Sequence, residues 1–462
     1  TGVAVYAQNT FAALKARKAL SVEWDSTAAE TRSSEQIKQA CVDAAASRGE
    51  IAFEAGAVDD AFSAADQIVE AEYTFPFLVH APMEPLDAVV ARGEDGGVDL
   101  WMGSQLQTGD HQVAAAVCGL PSEKIRIHTM LAGGSFGRRA QPSSHLTAEA
   151  AEIFMAAGGQ TPVKLVWTRE DDIRGGYYRP IIAHKLRGGL NAAGDIVAWE
   201  QTIAGQSFIK GSPLEPLMLS AGFDPTLVEG AIPIPYAVDN ALTTFHLVDT
   251  AVPTLWWRSV GHTHTGYAVE TFVDELLALG GKDAVEGRLA LLDSHERLAA
   301  TVRRAADMAD WGRSLPEGHA LGVATVESFR SYVTQIADVS LENGMPRVHK
   351  VWCAVDCGIA VNPEIVRAQM EGGIGYGLGA VLFNDLTLEP GGAVKQSNFH
   401  DYASLRIGDM PDIDVSIIAS DAPPTGVGEP GTPPIGPAVA NAVRRLTGTP
   451  VRHLPMNTAL QS

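Results

Sequence analysis

The sequence predicts an α+β protein with mixed β-sheets and more than one domain. Some segments carry apolar residues at the spacing of an amphipathic helix, and others alternate apolar and polar residues as β-strands do. The two kinds of segment do not follow one another in the regular order of a βαβ protein. The chain has 462 residues, and roughly 100–200 residues per domain gives two to four domains. Its hydrophobic content of 46% and charged content of 19% fit a folded chain.

The beginning of the chain predicts the order strand, helix, strand, helix. Short apolar runs at 3–6 and 21–24 predict two strands, and Asn9 is placed to cap a helix over 11–20 between them. An Ala-rich amphipathic helix is predicted over 30–50. This order is typical of a small α/β lobe without its first part, so we expect the chain to be a fragment or a processed product.

The middle of the chain mixes the two patterns. Residues 206–240 are rich in Pro and Gly and predict a long surface excursion. The other predicted elements are strands within 68–105 and at 125–130, 163–167 and 196–203, and helices at 111–117, 144–157, 267–279 and within 282–312.

The last third begins after a predicted linker at 314–318. Its predicted elements are strands at 321–329, 335–341 and 348–355, a helix from Pro363 to about 382, two further strands, a Pro/Gly loop at 421–437 and a helix at 438–446.

Charge and cysteine content exclude several classes of protein. Lys and Arg number 34 against 55 Asp and Glu, a net charge of −21. A chain this acidic repels phosphate backbones, so we expect no nucleic-acid partner. The four Cys form no Cys-x-x-Cys pair, which argues against an iron–sulfur or structural zinc site in this chain. No apolar run approaches the ~20 residues of a membrane span.

A glycine-rich segment at 133–139, Gly-Gly-Ser-Phe-Gly-Arg-Arg, is the first candidate site. Glycines let the backbone approach a ligand and present its N–H groups, and the two Arg suit a phosphate or carboxylate. The segment also matches Gly-x-Ser-x-Gly, the pattern of a serine nucleophile, which would be Ser135. A tight turn with solvated Arg side chains remains a competing interpretation.

The segment 256–264 places two Trp beside Arg258 and predicts an aromatic pocket with one fixed cation. His262 and His264 would share one side of a strand and could hold a metal. Because no third ligand is evident, packing or hydrogen bonding is the favoured role for both.

Two further glycine-rich segments differ in their interpretation. In 426–434, Glu429 lies in a loop restricted by Gly and Pro, which makes it a candidate general base with a pKa set by burial; an exposed loop acid is the alternative. The segment 372–379 superficially matches a dinucleotide fingerprint. It follows a helix and not a strand, so a Gly-faced helix packed against a neighbour is preferred.

Five segments in this order resemble the molybdenum-binding subunit of the xanthine oxidase family, in its isoquinoline 1-oxidoreductase β-subunit and aldehyde dehydrogenase branch. They are 133–139, 256–270, 355–377, 396–402 and 426–441. The resemblance covers essentially the whole chain. It implies a partial α/β hammerhead lobe at 1–60 and two molybdenum-cofactor-binding domains at 61–313 and 314–462.

The resemblance also implies roles for single residues. Gln105 matches a glutamine that hydrogen-bonds the apical oxo ligand of molybdenum, Phe136 and Gly137 match a turn that contacts the cofactor, and Glu429 matches the catalytic base. The implied catalytic residues are Glu429, Gln105 and Arg258. The implied cofactor-binding residues are Gln105, Gly134, Ser135, Phe136, Gly137, Arg138, Arg258, Gly428 and Glu429, and the implied substrate pocket consists of Trp256, Trp257 and Arg258.

The implied reaction is oxidation of an aldehyde, or hydroxylation of an N-heteroaromatic, with oxygen from water. The implied cofactor is molybdopterin cytosine dinucleotide, with molybdenum held through the pterin dithiolene and by no side chain. Ala140 stands where purine-oxidising relatives carry Glu, which argues against xanthine as substrate.

The same resemblance implies partners. Family segments that bind the pterin dinucleotide do not occur in the chain, so another chain would supply them. A small subunit with [2Fe-2S] clusters would accept the electrons, and a cytochrome c is a candidate acceptor after it. The periplasm is the expected compartment, with the cytoplasm as the alternative. A serine hydrolase using Ser135 and a non-catalytic scaffold subunit are the competing functions.

Overall fold

A computed structural model of the protein describes residues 2–219 and 223–460. The strands are β1 Glu50–Ala55, β2 Gln67–Phe75, β3 Asp87–Arg92, β4 Val98–Met102, β5 Ile125–Thr129, β6 Val163–Val166, β7 Ile182–Leu190, β8 Ile196–Gly205, β9 Ala241–Leu247, β10 His319–Ser328, β11 Ser331–Glu342, β12 Met345–Asp356 and β13 Asp412–Ile417.

The helices follow the amphipathic segments of the sequence. They are α1 Thr10–Lys18, α2 Ser34–Ala45, α3 Val58–Ala64, α4 Gln107–Cys118, α5 His145–Ala156, α6 Arg169–Arg174, α7 Glu215–Met218, α8 Pro225–Val228, α9 His262–Leu279, α10 Ala284–Leu291, α11 Glu296–Ala309, α12 Pro363–Leu382, α13 Ile435–Thr447 and α14 Met456–Ala459. Among the described residues, none of the helices combines the length and the apolar composition that a membrane span requires.

Three sheets confirm the predicted α+β class with mixed strand directions. The order β1-β9-β8-β7-β2 is antiparallel except for the parallel pair β8–β9. The order β10-β11-β12-β13 is antiparallel except for β12–β13, and β5-β4-β3-β6 is antiparallel except for β4–β5. β1 lies in the first sheet, next to β9, so residues 50–55 pack with the segment that follows them. The proposed domain limits at 60 and 313 stay a prediction.

The main hydrophobic core lies where α9 and α13 pack between the first two sheets. Phe272 and Leu276 of α9 are fully buried, as are Val439 and Val443 of α13. α13 approaches β10 so closely that a Cβ on Gly322 would lie 2.0 Å from the carbonyl oxygen of Ala438. This contact joins α13, which follows the Glu429 loop directly, to the core of the molecule.

Several expectations for single elements were wrong. Residues 3–6 and 21–24 are not strands, because no neighbouring strand pairs with them among the described residues, and Phe11 and Trp24 are exposed. Segment 206–240 is not a surface excursion, because Ile209, Leu227 and other apolar residues of it enter the main core; residues 220–222 lie outside the described part. Of two strands expected after α12, the described part of the chain forms only β13, with an isolated bridge between Leu388 and Val394 before it.

Candidate active site

The segment Trp256 to Ser259 lies between the glycine-rich turn and the Glu429 loop. On one side, a Cβ on Gly137 would lie 2.6 Å from the carbonyl oxygen of Trp256. On the other side, Nε of Arg258 donates a hydrogen bond of 2.6 Å to the carbonyl of Gly428. Oγ of Ser259 donates one of 2.6 Å to the carbonyl of Glu429. The fold therefore brings together three segments that are far apart in the sequence.

The glycine-rich turn holds a backbone shape that L-residues rarely adopt. Gly134 and Gly137 have φ of 102° and 107°, and Phe136 has φ of 59°. A non-glycine residue in this left-handed region is strained and needs support from its surroundings. The Arg139 guanidinium supplies part of that support, since its Nη2 lies 2.8 Å from Oε1 of Glu84, whose Oε2 accepts the N–H of Gly133 at 2.8 Å.

Ser135 and Gln105 contact each other within this turn. The hydroxyl of Ser135 donates to Oε1 of Gln105 and accepts the backbone N–H of Arg139 at 3.0 Å. No histidine among the described residues hydrogen-bonds this hydroxyl, so Ser135 lacks the base that a serine nucleophile requires. The geometry therefore gives the serine hydrolase alternative no support.

Arg138 lies inside the protein and is not the solvated side chain of a plain turn. It is 2% exposed, its guanidinium contacts the ring of His145 at 3.1 and 3.3 Å, and it lies over the rings of Tyr177 and Trp167. Burial lowers its pKa to about 10, with Asp172 opposing the shift. The implied cofactor contact of Arg138 stays a prediction, because the structure directs its side chain into the interior.

The two tryptophans of the implied pocket differ in exposure. Trp256 is half-buried, whereas Trp257 is 2% exposed, and its indole N–H donates to the carbonyl of Val79 at 3.3 Å. The Trp257 ring stacks on Tyr376 of α12 with centroids 4.4 Å apart, and the other face of Tyr376 stacks on Phe136 at 4.0 Å. Trp257 is thus covered by the protein's own rings, which leaves Trp256 as the more accessible wall.

Arg258 is fixed by two neighbouring elements. Its Nη2 donates to the side-chain oxygen of Gln369 at 2.9 Å and to the Gln369 carbonyl at 3.3 Å, in addition to the bond to Gly428. Burial lowers the pKa of Arg258, while Tyr376 and Glu429 oppose that shift. Gln369 and Tyr376 both lie on α12 and were not identified from the sequence as site residues.

Glu429 is half-buried, so its carboxyl group is only partly solvated. Burial raises its pKa above the ordinary value of 4.5, while the nearby positive charge of Arg258 acts in the opposite direction. Its carbonyl accepts the N–H of Thr432 at 3.0 Å in a tight turn. In the same loop, the side-chain amide of Gln335 donates a hydrogen bond of 2.8 Å to the carbonyl of Gly431.

The Gly-faced helix α12 packs on this same loop. A Cβ on Gly373 would lie 2.9 Å from the carbonyl carbon of Gly431, and one on Gly377 would lie 2.6 Å from the carbonyl oxygen of Thr432. These distances are shorter than real Cβ contacts, so glycine is required at both positions. The predicted close packing of 372–379 is confirmed, and its neighbour is the loop that carries Glu429.

The two histidines after Arg258 begin helix α9 and do not lie on a strand as expected. His264 is fully buried, and its Nδ1 lies 2.8 Å from Nε2 of His184, which also contacts Gln201. The preferred hydrogen-bonding role of His264 is confirmed. Among residues 2–219 and 223–460, no group of three or more His, Cys, Asp or Glu side chains is arranged to hold a metal ion.

Uncommitted donors and free space mark where an anionic cofactor would fit. Within the described residues, the backbone N–H groups of Phe136 and Gly137 and the side-chain amide of Gln105 donate no hydrogen bond. A Cβ on Gly428 would meet nothing within 4 Å, and one on Gly372 would approach only Nη1 of Arg258, at 3.9 Å. Neither glycine is explained by packing within the chain. Such uncommitted N–H donors suit phosphate and other anionic groups.

Comparison with protein families gives two matches of the same kind. Residues 42–291 match a model of the molybdopterin cofactor-binding domain, and residues 299–411 match a second model of that description. The glycine-rich turn and Arg258 lie in the first matched range, and helix α12 lies in the second.

Curated relatives are similar over nearly the whole chain. Isoquinoline 1-oxidoreductase subunit beta of Brevundimonas diminuta is 34% identical over 99% of the chain and 60% of the relative. A membrane-bound aldehyde dehydrogenase of Gluconacetobacter polyoxogenes, named for pyrroloquinoline quinone, is 30% identical over 99% of the chain and 62% of its own length. The chain thus spans about three fifths of these two relatives.

Solved structures share the fold at low sequence identity. Quinoline 2-oxidoreductase from Pseudomonas putida 86 superposes with a TM-score of 0.81 at 14% identity, over 99% of the chain and 84% of that structure. Aldehyde oxidoreductase from Desulfovibrio gigas superposes with a TM-score of 0.76 at 16% identity, over 99% of the chain and 68% of that structure. The mixed-sheet architecture described above is therefore that of these proteins.

Proposed function

The chain belongs to the molybdopterin cofactor-binding family, and from this membership we propose that it forms part of the large subunit of a molybdenum hydroxylase. The proposed reaction oxidises an aldehyde to a carboxylic acid or hydroxylates an N-heteroaromatic ring. One observation carries the proposal: Glu429, a half-buried carboxylate with a raised pKa, lies beside Arg258 and joins the glycine-rich turn through the segment 256–259.

The chain's own groups would hold the cofactor by hydrogen bonds. The N–H groups of Phe136 and Gly137 and the amide of Gln105 donate to no group of the described residues, and they would donate to anionic or oxo atoms. When bound, the molybdenum cofactor supplies the two-electron redox chemistry and the water-derived oxygen. We propose the cytosine dinucleotide form of the pterin.

Glu429 would accept a proton during the oxygen transfer. Its carboxylate must be ionised to do so, and a pKa raised by burial makes it a stronger base than a solvated glutamate. Arg258 keeps the ionised form accessible, because its positive charge favours the carboxylate. Trp256 would form the accessible aromatic wall of the substrate space.

We infer that further polypeptide completes the site. Met83 and Leu131 flank the glycine-rich turn and are 77% and 99% exposed, an apolar surface that suits a covering segment. The unmatched two fifths of the relatives is the proposed source. A small [2Fe-2S] subunit, then a cytochrome c, would carry the electrons away, and the periplasm is the proposed compartment.

Metal and cofactor analysis of the purified complex tests this function. The chain is produced together with its proposed partner subunits, and molybdenum and pterin are quantified alongside aldehyde oxidation with an artificial electron acceptor. We expect stoichiometric molybdenum, a pterin nucleotide and ¹⁸O transfer from labelled water to the product. Active complex that contains pyrroloquinoline quinone and no molybdenum would refute the proposal.

The pH dependence of kcat/KM tests the interaction between Glu429 and Arg258. Because the base must be ionised, kcat/KM should rise with pH through a pKa above 4.5. Arg258→Met removes the charge that lowers this pKa, so the rising limb should move to higher pH. Initial rates across the acid and neutral range measure the limb, with the exposed Arg303→Met as control. If kcat/KM of Arg258→Met rises at the same pH as in wild type, or at a lower pH, the assignment of Glu429 as a base whose pKa Arg258 lowers would be contradicted.

A further inference from the structure

Tyr376 is the central ring of a three-ring stack that joins the separate parts of the site. Phe136 covers one face at 4.0 Å between centroids and 21° between planes, and Trp257 covers the other at 4.4 Å and 17°. The Tyr376 hydroxyl donates to the carbonyl of His80 at 2.8 Å. The three stacked residues come from the glycine-rich turn, the segment next to Arg258, and helix α12.

The stack offers the support that the strained turn needs. Phe136 has φ of 59°, a conformation that a non-glycine residue keeps only where its surroundings impose it. Polar contacts lie on either side of Phe136: the N–H of Arg138 donates to the carbonyl of Ser135 at 3.0 Å, and the N–H of Arg139 donates to the hydroxyl of Ser135 at 3.0 Å. Phe136 itself makes no hydrogen bond among the described residues, so the stacking of its ring on Tyr376 is the side-chain contact that helps to hold its backbone N–H in place.

The other side of Tyr376 reaches the groups that would meet the substrate. Trp257 directly precedes Arg258, whose guanidinium is bound to Gln369, two turns before Tyr376 on α12. Gly377, the residue after Tyr376, packs on the carbonyl of Thr432 in the Glu429 loop. One turn of α12 therefore contacts both the ring of Phe136 and the loop that carries Glu429.

We propose that Tyr376 is a positioning residue, whose ring fixes the position of the Phe136 turn relative to the Trp257–Arg258 segment. This inference rests on the proposed function for its catalytic consequence, but its structural part concerns only this chain. The aromatic ring does the positioning, and the hydroxyl adds one hydrogen bond to His80.

Hydrogen exchange on the complex tests the structural part without any activity measurement. The amide protons of Gly133, Arg138, Arg139 and Ala140 are bonded within or next to the turn and report on it. Tyr376→Leu removes the ring and should speed exchange of these amides by about tenfold or more, as expected for local opening. Tyr376→Phe keeps the ring and should leave them near wild type. Phe245→Leu removes a buried ring of β9 from the main core and controls for general destabilisation.

The catalytic part is measured on the molybdenum-loaded complex with the same variants. We expect Tyr376→Leu to lower kcat per molybdenum and to alter the electron paramagnetic resonance signal of the metal, with Tyr376→Phe unaffected in both. Tyr376→His, with a smaller ring, replaces Tyr376→Leu if that variant does not fold, and should give a smaller change of the same sign. Turn amides that stay protected in the ring-deleted variant would overturn the proposal, even if the complex proves to hold no molybdenum. Equal acceleration by Phe245→Leu would overturn it as well.

Discussion

Glu429→Gln should lower turnover by about 10²- to 10⁴-fold, the usual contribution of a general base. Glutamine keeps the shape of the side chain but cannot accept a proton at neutral pH. The loop should stay in place, because it is held through backbone atoms: Ser259 and Thr432 bind the carbonyl of residue 429, and Gln335 binds that of Gly431. Molybdenum content should therefore equal that of the wild type, and steady-state rates per molybdenum measure the loss.

A matched control separates this effect from a general loss of charge. Glu364→Gln removes an exposed carboxylate at the start of α12, where it pairs with Arg367 at the surface. Its rate should stay within about twofold of wild type, as for surface changes away from a site. Near-normal turnover by Glu429→Gln at full molybdenum content would exclude Glu429 as the base.

The sequence was sufficient to find the segments of the site, because each carries a local signal. The Gly and Pro around Glu429 restrict a loop that holds a carboxylate, and the glycines around Phe136 indicate unusual backbone geometry. The glycines of α12 likewise predicted a close helix contact. Their neighbour could not be predicted, because Gly377 meets Thr432 only through the folding of the residues between them.

The roles of Tyr376 and Gln369 needed the structure for the same reason. Tyr376 lies on a helix between two glycines, Gly375 and Gly377. From the sequence, this position indicates only weakly that both faces of the Tyr376 ring are stacked against other rings. The pattern does not say which rings occupy those faces. Trp257 is a different case: a Trp beside an Arg suggests a ligand wall, and in the structure its ring stacks on Tyr376, so its role as a wall stays a prediction.

The errors at the start of the chain have a related cause. Residues 3–6 are apolar enough for a strand, but a strand is stable only beside another strand, and the described chain offers none there. The same local composition therefore leaves Val3 and Tyr6 largely exposed. The prediction for segment 206–240 was wrong in the opposite direction, since a surface segment was expected and a buried one is found. Pro and Gly determine its turns, but Leu227 and Val228 determine its burial.

A buried charge network behind the site gives rise to the largest expected effect on stability. Arg288 of α10 has no exposed side-chain surface, and it binds Glu270 and Asp274 of α9, each at 3.0 Å. Burial raises the pKa of Glu270, with Arg288 opposing the shift. For Asp274, burial acts in the same direction but is outweighed by Arg288, Arg445 and Arg444, which lower its pKa. Arg288 is thus the positive charge that most favours the ionised form of both carboxyl groups.

Arg288→Met should therefore destabilise the protein by about 3–5 kcal/mol, the usual cost of removing one partner of a buried ion pair. Glu270 loses the cation that it binds, whereas Asp274 keeps its contacts with Arg444 and Arg445. Methionine fills much of the volume of the arginine side chain, so the loss reports on charge and not on a cavity. The shift of the urea unfolding midpoint of the purified complex measures it. Arg303→Met is the control, since its pair with Glu296 is 51% and 78% exposed and such surface pairs contribute about 1 kcal/mol or less. Equal midpoints for the two variants would mean that water or another cation compensates Glu270 and Asp274, and that α9 does not depend on Arg288 for its place behind the site.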